Sequence, residues 1–504
     1  MENPNPTPAI EAPPTAVSET VADQPEPFRV PPETVARRGP IWVDGEAASL
    51  ARALPAKSEV GYLLLDLAGN AQIDGRNADQ PLIPGSTVKI ATAVAALQIL
   101  GPEHRYLTEL LVDGEVEDGV LDGDLILKGG GDPLLDVPDL IGLVLELLRH
   151  DIREINGRFI IEDSLLPRFG EIEPSQPLEA PYNPGISALS LSFNRVRLSW
   201  LDKDEFTVST VPRLDEARFE QVSPKQLPPS RIELKVHEDG QVTWQLADRG
   251  ARRSRTSLPV KDGGLHAGRV FADLAVMHGI ELPSPVRADE RSPDAAVLAV
   301  HESRPLLELA RDMLWYSNNL MAELIGLSAA HKIAPEVSSL EASAEVLLQY
   351  FKTELPDVDW QGAFIDNHSG LSSKARMTPR QLVAILRHGW EHSPLLRLLP
   401  SSGWSGTLVR RFSEQDQALR IWAKTGAINY ANALAGFLLS SSHGPAIFAV
   451  MVSDIDARTT YDALPRRTRE TERETSRWAN QAKAGLDDLV RSWLDPTPKL
   501  VSQR

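Results

Sequence analysis

Ser86 stands at the mouth of a helix-forming run, "PLIPGSTVKIATAVAALQIL" (Pro81–Leu100), with Lys89 three residues further on. Residues at i and i+3 share one helix face. The pair reads in two ways: a serine capping the helix, or a nucleophile beside its base. A serine hydroxyl attacks well only when a neighbour removes its proton. A lysine can do this when burial or a second cation pulls its pKa down. Lys424, in Lys424-Thr425-Gly426 on an expected strand, is a candidate second cation. In the functional reading it depresses Lys89 and attracts a substrate carboxylate, which Thr425 hydrogen-bonds. Gly426, lacking a Cβ, lets an extended substrate backbone lie along the strand edge. The amides of Ser86 and Ala427 then form an oxyanion hole. The plainer reading of the same triplet is a strand that ends in a turn.

A polar relay between the lysines has two candidates, both Ser-x-Asn. Ser192-Phe193-Asn194 lies in the alternating stretch "SALSLSFNRV", which places both polar side chains on one face of a strand. Ser317-Asn318-Asn319 interrupts the apolar pattern of a helical region, where a helix-to-helix turn favours the same residues. Ser317 and Asn319 are preferred because they share the helix-rich sequence that also holds Ser86 and Lys424.

The surrounding elements follow from periodicity. Ile90, Ala93, Val94, Leu97 and Leu100 form a helical stripe behind Ser86, closed by Gly101-Pro102. Glu59–Asn77 reads as two strands turning at Gly69-Asn70. From about Tyr106 to Leu282, short strands and Gly-Asp turns dominate, interrupted by a helix near Val137–Arg149. Helices return near Arg304, with Leu306, Leu309, Met313, Leu320 and Leu324 in register, then near Leu340–Phe351 and Thr378–His388. "ALRIWAKTGAINY", "ANALAGFLLSS" and "AIFAVMVSDI" read as three consecutive antiparallel strands, and Glu470–Leu494 as a final long helix.

The 504 residues are 42% hydrophobic with a net charge of −18, which suits two or three globular domains and offers no basic surface for nucleic acid. The absence of cysteine excludes disulfides, thiolate metal sites and a cysteine nucleophile. No apolar run approaches the roughly 20 residues that span a bilayer. No basic segment followed by an apolar one marks a signal peptide.

Ser-x-x-Lys, Ser-x-Asn and Lys-Thr-Gly in this order are the signature of penicillin-interacting serine enzymes. Together with "LKGGGDPLL", "YSNNLMAELIG", "HSGLSSKARMTP" and "GWSGTLVRRF", they make the chain resemble the low-molecular-mass class C penicillin-binding proteins, the D-alanyl-D-alanine carboxypeptidase/endopeptidase family. The resemblance runs from about Ile41 to Leu494. It implies an α+β fold: a transpeptidase-like, serine β-lactamase-like domain of antiparallel sheet flanked by helices. That domain is discontinuous in sequence and carries inserted β-rich material. The expected divisions are a disordered Pro-rich leader (1–40), a first transpeptidase segment (41–105), the insertion (106–289), a second segment (290–495) and a tail (496–504).

On this resemblance Ser86 attacks the D-Ala-D-Ala carbonyl and Lys89 is its general base. Ser317 relays a proton to the leaving nitrogen, and Asn319 positions Lys89 and the substrate amide. Lys424 and Thr425 hold the terminal carboxylate, and water hydrolyses the acyl-enzyme. No metal or organic cofactor is required. The implied partners are peptidoglycan peptides and β-lactams, in the periplasm; a homodimer is left open. Glu162 and Asp163 in "IIEDSLL" match an acidic stretch that the family turns towards the cleft, where it could meet an ammonium group; a solvated acid pair at a strand end fits as well. "GGGDP" (Gly129–Pro133) lacks the Lys-Ser/Thr of a phosphate loop and reads as a tight turn. Two positions depart from the family pattern: Ala427 replaces a threonine, and His368 replaces a glycine, with strain expected if φ there is positive. A β-lactamase of related mechanism and an inactive cell-wall binding protein are the competing readings.

Overall fold

The computed structural model describes residues 54–494, apart from 70, 203–205, 215–216, 226, 228–231, 238–241, 249–253, 288–294 and 465–466. The expected leader and tail lie outside these residues. The first elements along the chain are β1 (Glu59–Asp66), β2 (Gln72–Arg76) and α1 (Val88–Ile99). Then follow β3 (Leu107–Glu117), β4 (Val120–Gly129), α2 (Val137–Arg149), β5 (Glu154–Ile155) and β6 (Phe159–Glu162). A run of strands comes next: β7 (Arg195–Asp202), β8 (Phe206–Val211), β9 (Arg218–Val222), β10 (Ile232–Val236), β11 (Val242–Ala247) and β12 (Ser254–Pro259). α3 (Gly263–Met277), β13 (Pro285–Val286) and β14 (Ala296–Glu302) complete this part. The remainder is α4 (Leu306–Tyr316), α5 (Asn319–Ile333), α6 (Leu340–Glu354), α7 (Pro379–His392), α8 (Leu395–Leu398), β15 (Ile421–Ile428), β16 (Ala431–Ser440), β17 (Gly444–Ser453), α9 (Ile455–Asp462) and α10 (Arg469–Leu494).

A five-stranded antiparallel sheet in the order β15-β16-β17-β1-β2 unites the two ends of the described chain. β1 meets β17 from Glu59 opposite Ser453 to Asp66 opposite Ala446. Because side chains alternate along a strand, this sheet buries two faces. Leu63, Leu65, Ile447, Ala449 and Met451 face a core shared with α1, α4, α5, α6 and α7. Tyr62 and Phe448 face the other way, onto Trp493 of α10, with ring centroids 5.8 Å apart in each pair. Burial on both faces explains the uninterrupted apolar run in β1. α1 departs from the expected one-sided stripe: every residue from Val88 to Leu97 is buried, Lys89 included. Alanines at 91, 93, 95 and 96 present little bulk, so the sheet and the neighbouring helices can close around this helix from all sides.

The chain leaves this layer after α1 and forms a second sheet, β13-β6-β4-β3-β14, with β5 joined to β4. β14 pairs with β3, so this sheet reaches Glu302, past the boundary expected at 289. At the return, Tyr106 N–H donates to Ser303 Oγ and Ser303 N–H donates to Tyr106 O, each at 2.9 Å. α2 and α3 cover the sheet through Leu140, Leu143, Val144, Val270 and Phe271. Two three-stranded sheets, β12-β7-β8 and β10-β11-β9, share a core of Leu198, Trp200, Trp244 and Leu246. The stretch before β7 is not a strand. Ser192, Phe193 and Asn194 all have positive φ, 49°, 59° and 49°, and form a left-handed turn. A further cluster joins Leu166, Ile172, Ile186 and Ala188 of the insertion to Leu320, Leu324 and Leu327 of α5. The insertion is thereby seated on the helix that begins with Asn319.

Among the described residues Trp493 is the largest fully buried side chain, and its Nε1 donates to Asp74 Oδ2 at 2.9 Å. Trp493→Ala is expected to lower unfolding stability by about 3–5 kcal/mol in urea titration. Trp404→Ala, at a side chain 71% exposed, should leave it within about 0.5 kcal/mol.

Candidate active site

Ser86 lies in a single 3-10 turn, Gly85–Thr87, that runs directly into α1. Its hydroxyl does not cap the helix, and neither does that of Thr87, which donates to Pro84 O at 2.8 Å. The capping alternative is therefore not what the serine does. One turn along, Lys89 Nζ sits 2.9 Å from Ser86 Oγ, 2.8 Å from Asn319 Oδ1 and 2.7 Å from Ser369 O. A neutral amine has two N–H bonds and one lone pair. With Asn319 and Ser369 accepting the two N–H bonds, the lone pair is directed to the Ser86 hydroxyl. Complete burial favours that neutral state: it pulls the Lys89 pKa down to about 7, against the opposing charge of Glu323.

Lys424 occupies the mirror position on β15. Its Nζ donates to Ser317 Oγ at 2.7 Å and to Thr425 O at 2.9 Å. It too is fully buried, and its pKa is held well below the ordinary lysine value, first by burial and then by the charge of Lys89. The expectation that Lys424 depresses Lys89 thus needs adjusting: desolvation is the main cause at both lysines. Ser317 joins α4 to α5 in a left-handed conformation, φ 54° and ψ 37°. That backbone costs a non-glycine residue roughly 1–2 kcal/mol, and it aims the hydroxyl at Lys424. Asn319, at the first position of α5, donates its Nδ2 to Tyr182 O of the insertion at 2.9 Å. Thr425 Oγ1 donates to Thr407 Oγ1 at 3.1 Å.

β15 is the edge of its sheet. Ala423 N–H points outward, to Pro400 O at 3.0 Å. Alternation then directs the Thr425 and Ala427 amides to the same edge. Gly85, with φ 51°, brings the Ser86 turn against this strand, where an added Cβ would lie 3.2 Å from Ala427 N. Gly426 is needed for this approach: a Cβ there would meet Pro84 O at 2.4 Å. Its absent side chain accommodates the serine turn.

Ser192 and Asn194, the alternative Ser-x-Asn pair, are spent elsewhere. Asn194 Nδ2 donates to Gly185 O at 2.8 Å, and Ser192 Oγ donates to Asp136. Asp163 is not presented to the cleft. Its buried carboxylate accepts from Arg287 Nη2 at 2.7 Å, Arg168 Nη1 at 3.1 Å and Ser187 Oγ at 2.6 Å, so two arginines already neutralise it. Glu162 ends β6 in register with Lys128, and neither acid is an acceptor for Lys89 or Lys424.

Two further residues complete the site. Glu323, one turn after Asn319 on α5, is fully buried. Its Oε2 accepts the His368 amide and its Oε1 the Ser369 amide, each at 3.0 Å, and burial raises its pKa to about 7. It therefore grips the loop whose next carbonyl receives Lys89. The signal was an acid in the otherwise apolar run "NLMAELIGL". Gly370, φ 70°, presses the same loop under the serine turn, where a Cβ would meet Gly85 O at 2.0 Å. His368 is not among the positive-φ residues, so the expected strain is absent. Its ring lies over Gly326, its Nε2 is 2.7 Å from Ser343 Oγ, and burial keeps it neutral down to about pH 3.

Residues 45–471 match the D-Ala-D-Ala carboxypeptidase 3 (S13) family. The chain is 24% identical over 445 residues to the D-alanyl-D-alanine carboxypeptidase DacB of Haemophilus influenzae, covering 83% of this chain and 91% of that protein. It is 28% identical over 444 residues to a carboxypeptidase of Mycobacterium tuberculosis, covering 83% and 82%. Its fold is that of the crystal structure of penicillin-binding protein 4 of H. influenzae, with a TM-score of 0.73 and 22% identity over 89% of this chain and 98% of that one.

The charge of Glu323 raises the Lys89 pKa, so removing it should lower that pKa further. Glu323→Gln is expected to move the acid limb of the pH profile for Ser86 acylation from near 7 to lower pH. The plateau should also fall, because one loop amide then faces an NH₂ group. Stopped-flow acylation rates against pH check this; an unshifted limb would mean that Glu323 only holds the loop.

Proposed function

The chain belongs to the D-Ala-D-Ala carboxypeptidase 3 (S13) family, and we propose that it is a serine D-alanyl-D-alanine carboxypeptidase, with D,D-endopeptidase activity, acting on peptidoglycan stem peptides. The observation that carries this reading is the pairing of two dehydrated lysines with two serines, Lys89 with Ser86 and Lys424 with Ser317, beside the edge strand β15.

In the proposed reaction Lys89 takes the Ser86 proton as Oγ adds to the carbonyl of the penultimate D-alanine. The developing oxyanion is received by the Ser86 and Ala427 amides, donors that need no reorganisation as charge appears. The substrate pairs along the edge of β15, in the manner of an added strand. Its terminal carboxylate lies towards Lys424 and the Thr425 hydroxyl. Ser317 passes a proton to the departing D-alanine nitrogen and is reprotonated from Lys424, which recovers that proton from Lys89, so Lys89 is again a neutral amine. Asn319 holds Lys89 on one side and is itself fixed by Tyr182 O on the other. Water, activated by the Lys89 amine, then releases the acyl group. A β-lactam ring enters by the same first step and leaves Ser86 acylated. The periplasm is the proposed compartment, since the substrate lies outside the cytoplasmic membrane; no helix among the described residues is long and apolar enough to cross one.

Intact mass after exposure to benzylpenicillin should show one drug mass on the wild type and none on Ser86→Ala. Destruction of the drug without an adduct would favour a β-lactamase, and an unmodified wild type with intact drug an inactive binding protein. Ser317→Ala should slow D-alanine release from diacetyl-L-Lys-D-Ala-D-Ala by about 10²–10⁴-fold.

A further inference from the structure

Next to the catalytic residues lies a cavity of about 530 Å³ whose walls include Ser317, Asn319, Tyr182, Phe193 and Arg195. Arg195 opens β7 and is the insertion's charged contribution to this cavity. Among the described residues its side chain has no ion-pair partner, and its Nε is sealed from solvent without an acceptor. Burial alone pulls its pKa below the ordinary arginine value; no neighbouring carboxylate opposes the shift. The one acid on the cavity wall, Asp312, is committed to Arg304 at 2.9 Å and Arg311 at 3.3 Å.

A half-buried guanidinium whose Nε is sealed without an acceptor is unfavourable and is relieved by an anion that it can grip in two places. The backbone that presents Arg195 is fixed by side-chain hydrogen bonds. The left-handed turn Ser192–Asn194 directly before it is tied down by Asn194 side-chain bonds to Gly185 O at 2.8 Å, Ser190 Oγ at 3.0 Å and the Leu191 amide at 3.1 Å. An enzyme of net charge −18 repels acidic peptides at long range, so recognition of one needs a local cation. Lys424 is already assigned to the C-terminal carboxylate. We propose that this cavity is a subsite for a second carboxylate of the peptide substrate, carried upstream of the scissile bond and held by Arg195.

The assignment rests on the peptidase reading above and is tested with two probes. One is N-acetyl-γ-D-glutamyl-(Nε-acetyl)-L-lysyl-D-alanyl-D-alanine with its free α-carboxylate; the other is the same peptide with that group amidated. With the full wild-type chain, the acid should have a KM roughly tenfold below that of the amide. Arg195→Gln should abolish this preference with kcat unchanged, and Arg195→Lys should keep part of it. Acylation by benzylpenicillin, which lacks the upstream group, should be equal in all three proteins. Equal KM values for the two peptides in the wild type, or a preference that survives Arg195→Gln, would overturn the subsite. Slower penicillin acylation in Arg195→Gln would also overturn it, because the arginine would then act through the fold. If the wild type releases D-alanine from neither peptide, the peptidase reading falls and the subsite falls with it.

Discussion

The removal of the Lys89 ammonium from water is the constraint on which this structure turns. A lysine buried without compensation is strongly destabilising as a cation and tends to lose its proton. Here the loss of the proton is also what the chemistry needs. The amine is not merely hidden; it is held between Ser86 Oγ, Asn319 Oδ1 and Ser369 O. These three partners come from the turn before α1, the start of α5 and the loop after α6. None of the three positions is meaningful until all three segments pack, so the base is assembled by the tertiary core rather than by its own helix. Glu323 enters the same arrangement from below: it grips the loop amides while its burial holds its own pKa near that of the lysine.

The second dependence is steric. The Ser86 turn and β15 approach so closely that Gly85 and Gly426 are both required, and Gly370 is required where the lower loop passes under the turn. A Cβ at either of the last two positions would lie within 2.4 Å of a carbonyl oxygen. Close backbone contact is what brings the Ser86 and Ala427 amides into one neighbourhood at the outer edge of β15. It also limits how far the nucleophile can drift from the strand that receives substrate.

The insertion is more than an appendage to this centre. Its loop packs on α5 through Ile172, Ile186 and Ala188, and Tyr182 O orients the Asn319 amide, so it fixes a group that touches the base. The left-handed turn at Ser192–Asn194 then delivers Arg195 to the wall of the neighbouring cavity. Asp163, by contrast, is a structural ion in this module, shared between Arg168 and Arg287.

Local pattern alone determined much of this protein. Strand alternation, the helical stripes, the Gly-Pro stop after α1 and the order of the three triplets are set within a few residues of each position, so they can be read along the chain. That is why Ser86, Lys89, Ser317, Asn319 and Lys424 were legible as a set. Tertiary structure decided what depends on partners far away in sequence. It decided that α1 is enclosed on every side, so that Lys89 is dry; that Glu323, an acid in an apolar run, meets a loop 45 residues on; and that Gly426 makes room for Pro84. It decided that Asp163 is neutralised by two arginines while Arg195 is left without a carboxylate. Charge and burial are properties of a neighbourhood, and only the folded chain brings that neighbourhood together.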